Sequence, residues 1–126
     1  MKLEFIPNDA SDDTPLVRLY AFDVVEASNL RNAFADLATE STVSLELHNV
    51  DFIDAINDCR LTLMVHRWDQ GLMKIGEPAT FRCALSAGTW DNIEGLTEPF
   101  TQPGDHGFQW LNDTDTPLLL SSDGRW

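Results

Sequence analysis

Basic residues are scarce in this chain, and their scarcity argues against partners that require a positive surface. The 126 residues contain eight Lys and Arg against 21 Asp and Glu, which gives a formal net charge of −13 at pH 7. Proteins that bind nucleic acid use a basic surface to displace counterions from phosphate, and anionic membranes likewise attract basic segments. We therefore expect no nucleic-acid partner and no membrane partner.

Cysteines and long apolar runs are also scarce. The two cysteines, Cys59 and Cys83, are too few for a disulfide framework. No apolar run approaches the ~18 residues that cross a bilayer, and the opening sequence MKLEFIPNDASDD lacks the apolar region of a signal peptide. These absences predict a cytoplasmic protein with reduced thiols.

Motifs that would fix a chemistry are absent as well. The seven glycines are scattered and form neither G-x-x-x-x-G-K-[ST] nor G-x-G-x-x-G, the loops that cradle phosphates. The sequence has no G-x-S-x-G elbow for a nucleophilic serine and no paired spacing such as C-x₂-C or H-x₃-H for zinc. We therefore predict no cofactor, no metal and no catalytic residue, and a non-enzyme rather than an enzyme.

Two segments are rich in aspartate, which raises the question of whether either binds a cation. Residues 8–15, NDASDDTP, have the composition of a loop, and their spacing does not match the twelve-residue calcium loop, so we expect a solvated turn. Residues 49–58 fit either a short helix begun at Asp51 or a bent strand. In the helical alternative, Asp51, Asp54 and Asp58 share one face, which we expect to be hydrated rather than to bind a cation.

The longest stretch of β-type sequence is residues 60–85, and the other elements need such a sheet to pack against. Alternating apolar residues over 61–65 have the period of a strand. A turn signal at 69–71 and a break at Pro78 divide the remainder into two more strands. The pattern predicts a three-stranded antiparallel meander, with Cys83 on its apolar face.

Two amphipathic helices are expected to lie against this sheet. The first covers about residues 24–39, with Asp23 as its N-cap and Glu26 completing a capping box. The second covers about residues 87–98 after Ser86 as N-cap. The apolar stripe of the first helix contains Ala27, Leu30, Phe34 and Leu37.

Shorter segments complete the predicted fold. Residues 3–6 suggest an edge strand, residues 16–22 and 43–47 two further strands, and residues 108–111 and 118–121 the arms of a final hairpin. Helices segregated from such strands are typical of the α+β class. We predict one α+β domain, residues 1–126, with a mostly antiparallel sheet of about five to seven strands and two main helices packed on one face.

Cysteine and histidine offer two hypotheses for chemistry. Cys59 lies next to Arg60, whose charge could lower the pKa of the thiol, and His48 or His66 could supply a base from a neighbouring strand. Tertiary structure alone could also assemble zinc ligands from these residues, although two histidines on a sheet are more often plain polar residues. Either chemistry requires a concave pocket near Cys59, His66 or His106.

Four tryptophans are many for a chain of this size. Trp90 lies on the stripe of the second helix and is expected in the core. Trp68 and Trp110 either rim a binding surface or cap the ends of a small core, and buried positions are the more frequent for tryptophan. Trp126 either folds back under the final hairpin or offers an exposed contact.

The function expected from these features is protein binding without catalysis. An acidic surface keeps a protein soluble and also suits a basic protein partner, so an inhibitor or immunity-like protein for a basic partner is the sharpest hypothesis. Edge strands and an open sheet face also allow homo-oligomers. The alternative is a small-molecule-binding protein or enzyme with a site near the central meander. The expected interaction surface comprises His48, His66, Trp68, Asp105, His106, Trp110 and Trp126.

Overall fold

The structure is a computed structural model that describes residues 1–7, 15–114 and 116–126. Most of the loop predicted at 8–15 lies outside these described residues. Within them, the chain forms nine strands and two α-helices. The strands are β1 (Lys2–Ile6), β2 (Leu16–Tyr20), β3 (Ser44–Glu46), β4 (Asp54–Ala55), β5 (Arg60–Val65), β6 (Gly71–Gly76), β7 (Thr80–Leu85), β8 (Phe108–Asn112) and β9 (Leu118–Ser121), and the helices are α1 (Val24–Ala38) and α2 (Ala87–Thr97).

The strands form two mixed sheets, and the predicted α+β class with two helices is confirmed. The five-stranded sheet has the order β4-β1-β2-β9-β8, and the four-stranded sheet has the order β3-β5-β7-β6. The sequence predicts one sheet of about five to seven strands, whereas the structure divides its strands between two sheets. In the five-stranded sheet β9, near the end of the chain, pairs in parallel with β2, and sequence spacing does not reveal such a distant pairing.

Residues 60–85 are β-structure as predicted, but the antiparallel meander is wrong. β5 pairs in parallel with β7, and β6 pairs antiparallel with the far side of β7. The connection after β5 wraps around the end of β7, since the His66 N–H donates to the Leu85 carbonyl at 2.9 Å and the Gln70 N–H donates to the Ala84 carbonyl at 2.8 Å. The turn signal therefore marks a crossover and not a tight hairpin.

Helix α1 follows the predicted capping pattern. The Glu26 N–H donates to Asp23 Oδ1 at 2.8 Å, and the Asp23 N–H donates to Glu26 Oε1 at 3.2 Å. This reciprocal capping satisfies two N–H groups that the first turn leaves free, and it stabilises a helix by about 1 kcal/mol. All four residues of the predicted stripe are buried: Ala27, Leu30, Phe34 and Leu37.

Helix α2 joins α1 to the four-stranded sheet through Trp90. The helix begins after Ser86, whose Oγ accepts a hydrogen bond from the Thr89 N–H at 3.3 Å. Trp90 is fully buried as predicted and stacks on Phe34, with ring centroids 5.8 Å apart. Its Nε1–H donates to the Met64 carbonyl in β5 at 3.0 Å. The indole therefore buries its apolar surface and still has a hydrogen-bond partner for its N–H.

The ambiguous segment 49–58 is neither a helix nor a continuous strand. Its only strand residues form β4, which pairs in parallel with β1. A short 3₁₀ turn, Ile56–Asp58, follows, with φ of 52° at Asn57 and 61° at Asp58. The helical face of Asp51, Asp54 and Asp58 therefore does not form. Because β4 flanks β1, the strand predicted at the sheet edge has neighbours on both sides.

The predicted strand at 43–47 is shorter in the structure. Only residues 44–46 of it form a strand, β3, and the following Leu47–Asn49 forms a 3₁₀ turn in which Leu47 is buried. The final hairpin is confirmed, because β8 and β9 pair antiparallel. Cys83 is buried on β7 beside Phe81 and Leu85, as predicted.

One cluster of buried apolar residues connects the two helices with both sheets. Phe5 of β1 and Phe81 of β7 contact each other with ring centroids 4.8 Å apart, which joins the sheets directly. Within the residues that the structure describes, neither α-helix has the length and apolar character to cross a membrane.

Candidate functional site

His48 is placed to support the fold more than to present a surface. It lies in the 3₁₀ turn before β5, where its Nδ1 accepts a hydrogen bond from the Leu61 N–H at 3.0 Å. Its Nε2 lies 3.4 Å from Glu46 Oε2, and only 6% of its side chain is exposed. Both ring nitrogens are thus engaged, so the imidazole fixes the turn to the sheet.

A shallow polar cleft opens beside His48. It is lined by His48, Asn49, Ala55, Asp58, Cys59 and Arg60 and has a volume of about 180 Å³. Pockets for metabolites and drug-sized ligands usually measure roughly 300–1,000 Å³. The cleft therefore has room for a single side chain or a small ion.

Cys59 lines this cleft but is not an activated thiol. The residue is fully buried, and burial raises its pKa to about 11, with a further contribution from the negative charge of Glu4. The hypothesis that Arg60 lowers the pKa of this thiol is therefore wrong, since the pKa is raised and the only opposing contribution is a backbone hydrogen bond from Phe5. Burial also raises the pKa of Cys83 to about 12.

Four exposed carboxylates come from residues 46–58, the segment that also supplies most of the cleft lining, and we call them the acidic rim: Glu46, Asp51, Asp54 and Asp58. Arg60 neutralises part of this charge, because its Nη2 lies 3.2 Å from Asp58 Oδ1. In the part of the chain that the structure describes, Asp51 and Asp54 make no ion pair. The short turns of residues 47–58 thus hold several negative charges at the surface.

Trp68 projects from a turn that is held in place by Asp69. Asp69 Oδ1 accepts a hydrogen bond from the Ser86 N–H at 2.8 Å, and its Oδ2 accepts one from Thr89 Oγ1 at 2.8 Å. These hydrogen bonds, that of the Ser86 N–H first, lower the pKa of Asp69. His66 contacts the Trp68 ring edge-on with centroids 4.6 Å apart, while Trp68 remains 58% exposed.

Trp110 and Trp126 lie on the same outer face of the five-stranded sheet. Strand register places Arg18, Leu119 and Trp110 in one row across β2, β9 and β8. Leu119 is fully buried on this face although it is not part of the main core. Trp126 lies over the same row, with its ring 5.7 Å from Arg18 Cζ.

Arg18 anchors the last residues of the chain on this face. Its Nη1 donates to the Gly124 carbonyl at 2.7 Å, and its Nη2 donates to Glu4 Oε1 at 2.6 Å. The guanidinium also stacks on the Tyr20 ring at 3.9 Å. Gly124 has φ of 89°, and a Cβ there would lie 3.0 Å from Arg18 Nη1, so this close approach favours glycine.

The loop before β8 is linked to the same terminal segment. The Ser122 N–H donates to the Gly107 carbonyl at 3.0 Å. Asp105 Oδ1 accepts from the Gly107 N–H at 2.9 Å, and His106 Nε2 lies 2.9 Å from the Gln102 carbonyl oxygen. Asp105, His106, Trp110 and Trp126 therefore belong to one connected region of the five-stranded sheet.

The predicted surface is thus divided among three places. His48 lies at the cleft, His66 and Trp68 lie at the end of β5, and the remaining four residues lie around β8 and the terminal segment. The three histidines do not converge on one cavity. Within residues 1–7, 15–114 and 116–126, no group of three His, Cys, Asp or Glu side chains is arranged to hold a metal ion.

Sequence reasoning missed several residues that shape these places. Arg18 and Gly124 are 106 positions apart in the sequence, and Asp69 and Ser86 are 17 positions apart. No local sequence motif therefore indicates either contact. Of the cleft residues, Asn49 carries only an ordinary turn signal and Ala55 carries none, while Asp58 is predicted only as part of the helical face that does not form.

Comparisons with protein-family models, with curated proteins and with solved structures gave no match. The function is therefore inferred from the residues described above.

Proposed function

We propose that this chain is a single, non-enzymatic α+β domain of the cytoplasm that binds a basic protein partner. The acidic rim and the cleft would receive a Lys or Arg side chain of that partner. An inhibitor or immunity-like protein for a basic partner fits this description. Two buried free cysteines support a reducing compartment.

The observation that carries the proposal is the combination of cleft size and charge. A space of about 180 Å³ suits one long side chain, and the acids of the same segment, Glu46, Asp51, Asp54 and Asp58, outnumber the one arginine of the lining. A cation entering the cleft would meet Asp58 in the lining and Glu46 beside His48. Because these carboxylates are exposed, an ion pair between each of them and a guanidinium contributes roughly 0.2–1 kcal/mol.

The net charge favours the same kind of partner at longer range. A chain of charge −13 attracts a basic protein before contact, which raises the association rate and makes it sensitive to salt. The screening length falls from about 30 Å at 0.01 M salt to about 10 Å at 0.1 M. Binding through the acidic rim should therefore weaken steadily as salt is added.

Two observations favour binding over catalysis at the cleft. The raised pKa of Cys59, about 11, leaves only a very small thiolate fraction at neutral pH. The Nδ1 of His48 is already bonded to the sheet, and its Nε2 faces Glu46 rather than the thiol. The thiol and the imidazole are therefore not arranged as a nucleophile and its base.

The polar lining also favours a second candidate, a small cationic ligand of a few heavy atoms. The volume of about 180 Å³ permits a guanidinium or alkylammonium ion but not a larger metabolite. Free guanidinium-type ligands would compete with the protein partner for the same carboxylates.

The test measures binding of an arginine-rich peptide, and of the free amino acid arginine, by calorimetry at low and high salt. Asp51→Asn with Asp54→Asn should weaken peptide binding roughly 10-fold, as expected for two lost charge contacts. The matched control, Asp91→Asn on α2 with Glu98→Gln directly after it, removes the same charge from two other exposed positions. Equal weakening by both variants would show that net charge alone binds the peptide, and salt-independent binding would also contradict the proposal. Arginine binding as tight as that of the peptide would favour the small-ligand candidate.

A further inference from the structure

We infer that Arg60 is an internal competitor at the cleft, whose guanidinium occupies the Asp58 carboxylate until a cationic side chain of a partner displaces it. The ion pair between Arg60 and Asp58 is then an autoinhibitory contact that lowers the affinity of the cleft for cations. This inference rests on the proposed function, because it concerns the regulation of the same site.

The composition of the cleft lining is the first observation behind the inference. Of the six residues that line the cleft, one carries a carboxylate, Asp58, and one carries a guanidinium, Arg60. These two side chains are paired with each other, since Arg60 Nη2 donates to Asp58 Oδ1 at 3.2 Å. A cation that enters the cleft therefore finds the carboxylate of the lining already in use.

The backbone on both sides of this pair is held by hydrogen bonds. The Arg60 N–H donates to the Ala79 carbonyl at 2.8 Å, and the N–H of the intervening Cys59, which is fully buried, donates to the Ile56 carbonyl at 3.1 Å. Asp58 itself has φ of 61°, a left-handed conformation that aspartate tolerates better than most residues. Exchange of the guanidinium bound to Asp58 therefore needs only rotation of the Arg60 side chain.

The pair is exposed and weak enough to be displaced. The side chains of Arg60 and Asp58 are 50% and 70% exposed, and exposed ion pairs contribute little stability. Their one hydrogen bond, at 3.2 Å, is longer than the roughly 2.7–2.9 Å of a strong charge-assisted bond. A guanidinium can instead make two parallel hydrogen bonds to one carboxylate, so an arginine of a partner has a stronger contact available than Arg60 makes.

Arg60 opposes an entering cation in two ways. It occupies Asp58, and its positive charge repels the cation that approaches the same carboxylate. Two like charges about 6 Å apart in water change a binding constant by about 3-fold. The consequence is a binding threshold, because an isolated lysine or arginine of an unrelated basic protein is held less tightly and a partner must add further contacts.

Calorimetry with the arginine-rich peptide at low salt tests the inference through Arg60→Met. We expect this variant to bind the peptide about 3-fold more tightly than the parent chain. The matched control is Arg125→Met, which removes an exposed arginine that pairs with Asp123 outside the cleft and changes the net charge by the same amount. The control should tighten binding by less than about 1.5-fold, since a distant exposed charge is largely screened. Unchanged or weaker binding in Arg60→Met, or equal tightening in both variants, would overturn the inference.

Two further variants separate competition for the carboxylate from a general effect of charge or packing. Asp58→Asn suits the left-handed backbone and should weaken peptide binding, and adding Arg60→Met to it should restore less than the 3-fold gain, because no carboxylate is freed. Arg60→Lys keeps the positive charge and should bind within about 2-fold of the parent chain. An equal gain with and without Asp58, or binding by Arg60→Lys as tight as by Arg60→Met, would refute the competition. Both side chains are exposed, so these substitutions leave the core intact.

The inference and the proposed function can fail separately in this experiment. A peptide that binds neither the parent chain nor any variant would end the proposed function, and the competition with it. A peptide that binds the parent chain, and is weakened by salt and by Asp51→Asn with Asp54→Asn, would support the proposed function. If Arg60→Met then left the affinity unchanged, only the role of Arg60 would be overturned.

Discussion

Replacing Arg18 with Met removes the side chain that joins β1, β2 and the terminal segment. Arg18 donates to Glu4 Oε1 through Nε at 3.0 Å and Nη2 at 2.6 Å, and its Nη1 donates to the Gly124 carbonyl at 2.7 Å. The guanidinium also stacks 3.9 Å from the Tyr20 ring. Met keeps much of the apolar stem of arginine and loses every one of these polar contacts.

The expected loss of stability follows from these contacts. A hydrogen bond from a charged donor contributes about 1.5 kcal/mol, a partly exposed ion pair about 0.5 kcal/mol, and the cation–π contact about 0.5–1 kcal/mol. The side chains of Arg18 and Glu4 are 18% and 20% exposed, so solvent screening is limited but present. We expect Arg18→Met to cost about 2–3 kcal/mol, which lowers Tm by about 8–12 °C for a chain of this length.

Thermal unfolding followed by circular dichroism and tryptophan fluorescence provides the assay. The terminal segment should loosen before the core unfolds, because Gly124 loses its donor while the main core is untouched. Arg31→Met is the matched control, since Arg31 pairs with Glu94 at a more exposed site and should cost less than about 1 kcal/mol. Equal Tm values for Arg18→Met and the parent chain, or a larger loss in Arg31→Met, would refute the reasoning.

Three further predictions concern the turn after β5, the core and the thiols. Asp69→Asn should destabilise the chain by about 1 kcal/mol through weaker bonds to Ser86 and Thr89. Because the folded-state pKa of Asp69 is lowered, the stability that its carboxylate contributes is present above the unfolded-state pKa and disappears as pH falls through the folded-state pKa. Denaturant midpoints measured over a range of acidic pH would check this. If Asp69→Asn lost as much stability as the parent chain over the same pH range, the prediction would be contradicted. Trp90→Ala should cost about 3–5 kcal/mol in urea unfolding, against less than about 0.5 kcal/mol for the exposed Trp68→Ala; similar costs would contradict the placement of Trp90. Cys59 and Cys83, with pKa values raised to about 11 and about 12, should react with a thiol reagent at pH 8 only as fast as the chain unfolds, and rapid labelling of the folded chain would refute their burial.

The helices could be predicted from the sequence because their signals are local. Asp23 and Glu26 are three residues apart, and the stripe from Ala27 to Leu37 repeats with the helical period. The final hairpin is equally local. Such features depend on residues that are neighbours along the chain, so no knowledge of the tertiary structure was needed.

The sheet order and the surfaces could not be predicted because they depend on distant pairings. The alternation over 60–85 identified strands, but it carries no information on whether β5 lies beside β6 or β7. The parallel pairing of β2 with β9 places Trp110 and Arg18 on one face, although they are far apart in sequence. The pKa of Cys59 likewise depends on burial, which the adjacent Arg60 does not reveal.

The most direct test of the proposed function is a titration of the ¹⁵N-labelled chain with an arginine-rich peptide, followed by NMR chemical shifts. The account predicts that the largest shifts at low salt fall in residues 46–60, around the acidic rim and the cleft, and that they diminish as salt is added. Shifts spread evenly over all exposed acids, or concentrated away from residues 46–60, would contradict it.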